Sequence, residues 1–366
     1  MLATAPHPVS VALAPDRPVW GGGTLVCRAI VEETHDVKTF VFAAPSPARF
    51  SFLPGQFLTF AFDIVGRSVE RCYTISSPST VDATLSITVK RVPNGVVSPW
   101  LHDRLRVGDR LRARGPDGQF TPVEHRSDRY LFLSGGSGIT PLASITRTFA
   151  DLGEDCDILF VHATRAPRDI IFRDDLARLA RRLPRLRLST IVEDPVGEPG
   201  WAGFVGRLDR DKLAVIAPDL ASRMVMCCGP APFMAAARRL VLAAGLSGDL
   251  YAEESFDFGD APNPIAVDAT PASGAGTASK ITQIRFAKSQ RSFPCDPGMT
   301  ILEAARRAGV PLPFACSKGI CGTCKSRKIS GTVEMTHGGG IRPREIDQGL
   351  ILPCCSRPCD DVVLDR

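Results

Sequence analysis

No run of apolar residues in this chain reaches the length of a membrane-spanning helix. The richest, Phe233 to Leu246, is interrupted by Arg238 and Arg239. The stretch Met1 to Pro18 lacks the basic segment and apolar run of a secretory signal. Aromatic residues are sparse at 7% and do not interleave with basic ones, which speaks against a nucleic-acid surface. Twelve cysteines in 366 residues is far below disulfide-scaffold density, and a reducing compartment fits best. No internal repeat is visible. These absences lead to the expectation of a soluble, cytoplasmic protein that binds neither membrane nor nucleic acid.

A length of 366 residues suits two or three domains, and 44% hydrophobic with 23% charged residues is a globular balance. The net charge of +5 is unevenly spread. Lys280 to Arg366 holds 14 Lys/Arg against 8 Asp/Glu, while the rest is close to neutral. A solvated basic face accounts for this; a docking surface for an acidic protein is the other reading.

Three cysteines stand at C-x4-C-x2-C (Cys316, Cys321, Cys324), and Cys354 follows after 29 intervening residues. This is the plant-type [2Fe–2S] spacing, and the small residues between the thiols let backbone N–H groups approach the sulfurs. Structural zinc usually shows two CxxC-type pairs, and only one is present.

Residues 1–20 are Pro/Ala-rich and read as a loose arm. Between 21 and 125 short β-branched and aromatic runs (24–32, 37–43, 56–64, 71–76, 84–92) predict a β-barrel, with a short helix over 99–105. From 126 to 257 strands alternate with helices, which predicts a parallel sheet covered on both faces. Residues 258–279 read as a linker, and 280–366 as a small α+β domain.

In the barrel, Arg71-Cys72-Tyr73-Thr74 offers a cation, a flat ring and a hydroxyl along one strand. Arg71 and Tyr73 share a face by alternation, a set that suits a flavin and its phosphate. Thr88 and Lys90 close a later strand, and Gly95-Val96-Val97-Ser98 opens the short helix, where free N–H groups make a pyrophosphate seat. In the α/β region, Gly135, Gly136 and Gly138 turn into Thr140 and Pro141 at a helix start, and Cys228-Gly229-Pro230 repeats the strand–glycine–helix order. Two strand ends of one sheet would face one crevice. Glu193-Asp194 after another strand would accept a ribose 2′-OH and repel a 2′-phosphate, which favours NADH; Arg165 argues weakly for NADPH.

Taken in order with Glu254-Ser255-Phe256 and the four cysteines, these residues resemble the ferredoxin–NADP reductase superfamily, in the subgroup with a C-terminal plant-type ferredoxin. The resemblance implies a Greek-key β-barrel for FAD, an α/β parallel-sheet nucleotide domain and a β-grasp [2Fe–2S] domain. It further implies that Thr74, Cys228, Glu254 and Phe256 surround the reacting rings, with Thr140 near the nicotinamide. By its pattern the fourth iron ligand is Cys354, leaving Cys355 and Cys359 as buried or inert thiols. Thr34–Phe42, Arg71–Pro78 and Asn94–Asp103 look most like reductases of Rieske-type oxygenases, especially those demethylating glycine betaine and related quaternary amines. The expected activity passes electrons from NADH through FAD and the cluster to a terminal oxygenase. A different redox acceptor, such as a hybrid-cluster protein, and a redox-sensing role are the alternatives. The family's Ser-Arg pair for NADPH is absent, and this ferredoxin domain is basic where plant ferredoxins are acidic.

Overall fold

The computed structural model describes residues 17–254, 256, 281–310, 312, 319, 322, 324–337, 341 and 343–366. Six antiparallel strands form the first unit: β1 (Gly23–Thr34), β2 (Val37–Ala43), β3 (Phe57–Ile64), β4 (Arg67–Thr74), β5 (Leu85–Lys90) and β6 (Arg110–Asp117), with helix α1 (Val97–Asp103) after β5. Their order is β4-β3-β6-β1-β2-β5, and a bridge from Ile75 to Ile87 joins the two edges into a barrel. Phe40, Phe42, Leu58, Phe60, Ile75 and Ile87 fill its interior by strand alternation. Residues 17–20, expected as the end of a loose arm, are docked instead. The Trp20 N–H bonds Arg49 O at 2.9 Å, and the buried indole packs 5.5 Å from the Phe50 ring.

The second unit is a parallel sheet of β7 (Arg129–Gly135), β8 (Asp157–Thr164), β9 (Leu186–Val192), β10 (Phe204–Val205), β11 (Met224–Cys228) and β12 (Tyr251–Glu254). Helices α2 (Ile139–Leu152), α3 (Arg173–Arg182), α4 (Arg210–Ile216) and α5 (Ala231–Ala243) cover it, with separate apolar clusters on its two faces. The order β10-β9-β8-β7-β11-β12 reverses between β7 and β11. Ligands of open parallel sheets bind at such a switch point, beyond the carboxyl ends of the strands.

A feature absent from the sequence reading lies at the opposite strand ends. Arg223 is wholly buried, and its guanidinium reaches Asp157 at 3.0 and 3.1 Å, Asp219 at 2.7 and 2.9 Å, and the carbonyl of Tyr130. Arg223→Ala would remove the cation that Asp157 and Asp219 share, with Arg187 still beside the first and Arg129 beside the second. The expected loss is about 2–3 kcal/mol, the range for hydrogen bonds to charged groups. Denaturant titration checks it, and a loss under about 1 kcal/mol would contradict the assignment.

The third unit contains β13 (Thr282–Phe286), β14 (Arg291–Cys295), α6 (Ile301–Arg307), β15 (Ser326–Ser330), β16 (Val333–Met335), α7 (Pro343–Asp347), β17 (Leu350–Ile351), β18 (Ser356–Pro358) and β19 (Val362–Leu364). Its main sheet runs β14-β13-β19-β15-β17, with β13 and β19 parallel. Thr300 and Glu303 form a reciprocal capping box that starts α6. No described helix of the chain is long and apolar enough to cross a membrane.

Candidate functional site

At the switch point, β7 ends in Gly135 and a tight turn, Gly136–Gly138, leads into α2. Gly136 has φ +51° with open space around its α-carbon, while a Cβ on Gly138 would lie 2.3 Å from the Cys228 carbonyl oxygen. A Cβ on Gly135 or Gly229 would meet the Phe233 ring at 2.9 Å. Glycine at these positions lets the two strand-end turns touch, so backbone rather than side chains lines the crevice. Thr140 is buried and its hydroxyl donates to Ser137 O at 3.2 Å, tying the turn to the helix start. Pro141 follows in the first turn of α2, where no intrahelical N–H is needed.

Strand register places Thr190, His162, Ser134, Cys228 and Glu254 in one row across the sheet, on one face. Burial pushes the Cys228 thiol well up, with the nearby Glu254 carboxylate acting in the same direction, so the sulfur stays protonated. Glu254 is half-buried, and Phe256 packs against the apolar cluster on this face.

His162 stands in this row with no motif in the sequence to mark it. One ring nitrogen, Nδ1, lies 2.9 Å from Ser134 Oγ, which also donates to Val161 O at 3.0 Å; Nε2 is buried without a partner among the described residues. Burial, with Lys90 nearby, lowers its pKa to about 4. An unfolded histidine titrates near 6.5, so the unfolded chain binds the extra proton first as pH falls, and stability drops between those values. His162→Gln should remove about 3 kcal/mol of the stability lost between pH 7 and pH 4, at ~1.4 kcal/mol per pH unit. Denaturant curves of both proteins at the two pH values check this; parallel losses would contradict it.

The barrel meets this row with one strand face. By alternation Thr74 and Ser76, Ser86 and Thr88, and Val37 and Thr39 point the same way, and Val37 packs into the cluster on the nucleotide sheet. Thr74 Oγ1 is buried with no hydrogen-bond partner among the described residues. Cys72 is buried, 3.3 Å from Thr59 Oγ1. Tyr73 stands edge-on to Phe60 and Phe62 at 6.1 and 6.4 Å, and Phe62 in turn meets Trp100 of α1 at 5.8 Å. Burial raises the Tyr73 phenol above its usual range, against the pull of Arg71. The Arg71 guanidinium folds onto Glu70 O at 2.8 Å. After Asn94, whose φ is +61°, Gly95 donates to Val92 O. Val96 is exposed; Val97 begins α1, and Ser98 Oγ accepts from Val92 N–H at 3.0 Å. An orphaned buried hydroxyl, a half-buried phenol, a cation and a glycine-led helix start are a donor set that fits a flavin dinucleotide.

Side chains of α2 clamp the two units together. Ser144 donates to Ser77 O at 2.8 Å, and Thr148 Oγ1 accepts from Ser79 N–H at 3.0 Å. Arg147 bonds Ser76 O and Asp175, with its guanidinium 4.2 Å from the Phe172 ring centre. Arg165, which favoured NADPH in the sequence, is engaged here: it pairs with Asp36 and Asp169 at 3.2 Å each. Lys90 also reaches Asp36 at 3.2 Å. Burial works to raise the Asp36 carboxyl, but Lys90, the Thr34 hydroxyl and His35 together outweigh it and hold the group below the usual range.

In the third unit Cys324 and Cys354 are both buried in its core. The Gly319 N–H points at Cys354 Sγ at 3.2 Å, the contact a cluster thiolate needs. Gly319 has φ +68°, and a Cβ there would lie 2.6 Å from Cys355 Sγ. Two sulfurs in one core, one already met by a backbone donor, fit an iron–sulfur cluster. Cys316 and Cys321 lie outside the described residues, as do Ser255 and the expected linker. Cys355 is half-buried, donating weakly to Leu352 O. Cys359 is exposed, in the bend that follows the short strand β18.

Three family models match the chain in order: an oxidoreductase FAD-binding domain over residues 25–121, an oxidoreductase NAD-binding domain over 132–239, and a 2Fe-2S iron-sulfur cluster binding domain over 284–359. The glycine betaine monooxygenase reductase subunit of Pseudomonas aeruginosa is 42% identical over 354 residues, covering 94% of this chain and 96% of that one. The stachydrine N-demethylase reductase subunit of Rhizobium meliloti is 39% identical, covering 91% and 94%. Among solved structures, phthalate dioxygenase reductase covers 94% of this chain and 98% of its own, with a TM-score of 0.56 and 24% identity, a likeness of fold. The chain therefore belongs to the ferredoxin–NADP reductase superfamily, in the group that carries a C-terminal plant-type [2Fe–2S] ferredoxin domain.

Proposed function

We propose that this NAD(P)H-dependent oxidoreductase is the reductase component of a Rieske-type oxygenase that demethylates glycine betaine or a related quaternary amine. Its relatives include reductase subunits of a glycine betaine monooxygenase and a stachydrine N-demethylase, and the three domain models are for FAD, NAD and a 2Fe-2S cluster, in that order along the chain. When bound, FAD supplies the conversion of a two-electron hydride into single electrons, and the cluster supplies one-electron carriage. The chain's residues supply position.

The observation that carries this reading is the clamp of α2 on residues 76–80, which sets the face with Thr74 and Thr88 against the switch point. In our reading Arg71, Cys72, Tyr73, Thr74, Thr88, Lys90 and the turn from Gly95 to Ser98 hold FAD. Gly135, Gly136, Gly138, Thr140, Pro141, Gly229 and Pro230 hold the dinucleotide. Cys228, Glu254 and Phe256 flank the nicotinamide, with the neutral thiol able to lie against it without placing a charge there. Cys316, Cys321, Cys324 and Cys354 ligate iron. Engagement of Arg165 with two aspartates, beside the acidic Glu193-Asp194, supports NADH over NADPH.

Anaerobic NADH should bleach both flavin and cluster absorbance, NADPH should do so with lower kcat/KM, and the reduced protein should reduce a purified Rieske-type quaternary-amine oxygenase. Bleaching of the flavin alone would refute the electron order. Transfer to a hybrid-cluster protein but not to the oxygenase would refute the partner.

A further inference from the structure

A chain of buried hydroxyls crosses the barrel face that meets the nucleotide sheet. Ser76 Oγ lies 2.8 Å from Thr88 Oγ1, Thr88 Oγ1 lies 2.7 Å from Thr39 Oγ1, and Thr39 Oγ1 donates to Glu33 Oε1 at 2.6 Å. All three hydroxyl-bearing residues are buried, while Glu33 is partly exposed at the end of β1. The polarity follows from counting protons. A carboxylate oxygen accepts, so Thr39 spends its one proton on Glu33 and Thr88 must then donate to Thr39; Ser76, whose hydroxyl also lies 3.2 Å from Ser86 O, turns its one proton to Thr88 at 2.8 Å, the shorter contact and the one that would otherwise hold no proton. Ser76 Oγ keeps lone pairs free to accept, and the buried unpartnered hydroxyl of Thr74 lies on the same face two residues earlier.

We propose that Ser76, Thr88, Thr39 and Glu33 form a directional proton exit from the flavin site to solvent. The inference rests on the reading that the Thr74–Thr88 face receives the flavin. The reaction requires an exit: NADH gives up two electrons and one proton as hydride, the electrons leave one at a time through the cluster to the acceptor, and one proton per NADH remains to be released. Each hydroxyl passes its proton toward Glu33 and accepts one from behind, so the charge crosses the buried face without any side chain moving far.

The test uses Thr39→Val, which cuts the chain, Thr39→Ser, which restores the hydroxyl, and Glu33→Gln, which keeps an acceptor but cannot take the proton. Each full-length holoprotein is first reduced anaerobically with NADH, then mixed with excess ferricyanide in weak buffer containing a pH indicator. Wild type should release one proton as flavin absorbance returns. In Thr39→Val and Glu33→Gln proton appearance should lag by about tenfold or more, a modest share of what positioned proton transfer contributes, and Thr39→Ser should recover it. Redox-difference infrared spectra should show a deuterium-sensitive carboxyl band in wild type that Glu33→Gln lacks. Proton release at the wild-type rate in both Thr39→Val and Glu33→Gln overturns the exit. So does a Thr39→Ser protein as slow as Thr39→Val. If NADH fails to bleach the flavin in wild type, the functional reading fails and the exit with it; normal bleaching with unaltered proton release removes the exit alone.

Discussion

A Cys324→Ser protein should still pass electrons from NADH to ferricyanide at nearly the normal rate, yet fail to reduce any protein acceptor. Cys324 is buried in the core of the third unit, on the segment leading into β15, and serine there offers a harder, protonated oxygen in place of a thiolate. Replacing even an outer-shell partner of a metal site costs 10–100-fold, so loss of a ligand should lower reduction of a protein acceptor by more than about a hundredfold. The flavin half should be spared for a structural reason. Among the described residues the strands of the C-terminal sheet pair with one another alone, whereas the barrel and the nucleotide sheet hold together through α2. Visible absorbance reports the cluster, and steady-state assays with the two acceptors report the wiring. Equal loss with both acceptors would show that the cluster does not stand after the flavin. The spacing of the cysteines proposes the ligand set; the structure adds a Gly319 N–H on the sulfur of Cys354, the proposed fourth ligand.

How much of the molecule can be read in the sequence depends on whether its logic is local. Strand–glycine–helix turns at Gly135 and Cys228 are local, and both stand where expected, as does β2. β6 is not legible as a strand, because Arg110, Arg112 and Arg114 alternate with Leu111, Ala113 and Gly115 and resemble a charged loop. Only its pairing with β1 and β3 buries Leu111 and Ala113 and makes it a strand. The start of β4 is hidden similarly: its hairpin turns through Val65 and Gly66, both at positive φ, and valine is a poor marker of such a turn. Arg223 and His162 are opaque for a deeper reason. A buried arginine needs Asp157, 66 residues away, and a neutral histidine needs Ser134, 28 residues away. Their surroundings are created by folding. Arg165 is the clearest case, an exposed loop cation in sequence whose partner Asp36 lies in another domain and 129 residues away.

Gly138→Ala should have the largest effect on hydride transfer of any one-methyl change in the chain's nucleotide sheet. The residue sits at φ −64° and ψ −2°, where alanine is as comfortable as glycine, so conformational strain contributes nothing. The obstacle is contact: the added Cβ would lie 2.3 Å from Cys228 O, 2.4 Å from its carbonyl carbon and 2.5 Å from Gly229 N. All three are backbone atoms, so no side-chain rotation relieves the overlap, and the turn after β7 must part from the end of β11 by about 1 Å to reach ordinary contact. That gap opens between the two strand ends that form the crevice. It also carries α2 with it, and α2 holds the barrel through Ser144, Arg147 and Thr148. A displacement of about 1 Å at a reacting centre can lower a rate about a hundredfold, and overpacking costs about 1–3 kcal/mol in stability. Gly153→Ala is the contrasting case. It caps α2 at φ +69° with nothing within 4 Å, so it should lose about 1–2 kcal/mol through left-handed strain while leaving flavin reduction by NADH unchanged. Anaerobic rapid mixing with NADH separates the two. A Gly138→Ala protein that reduced its flavin as fast as Gly153→Ala would mean that the turn and the strand end need not touch for the hydride to pass.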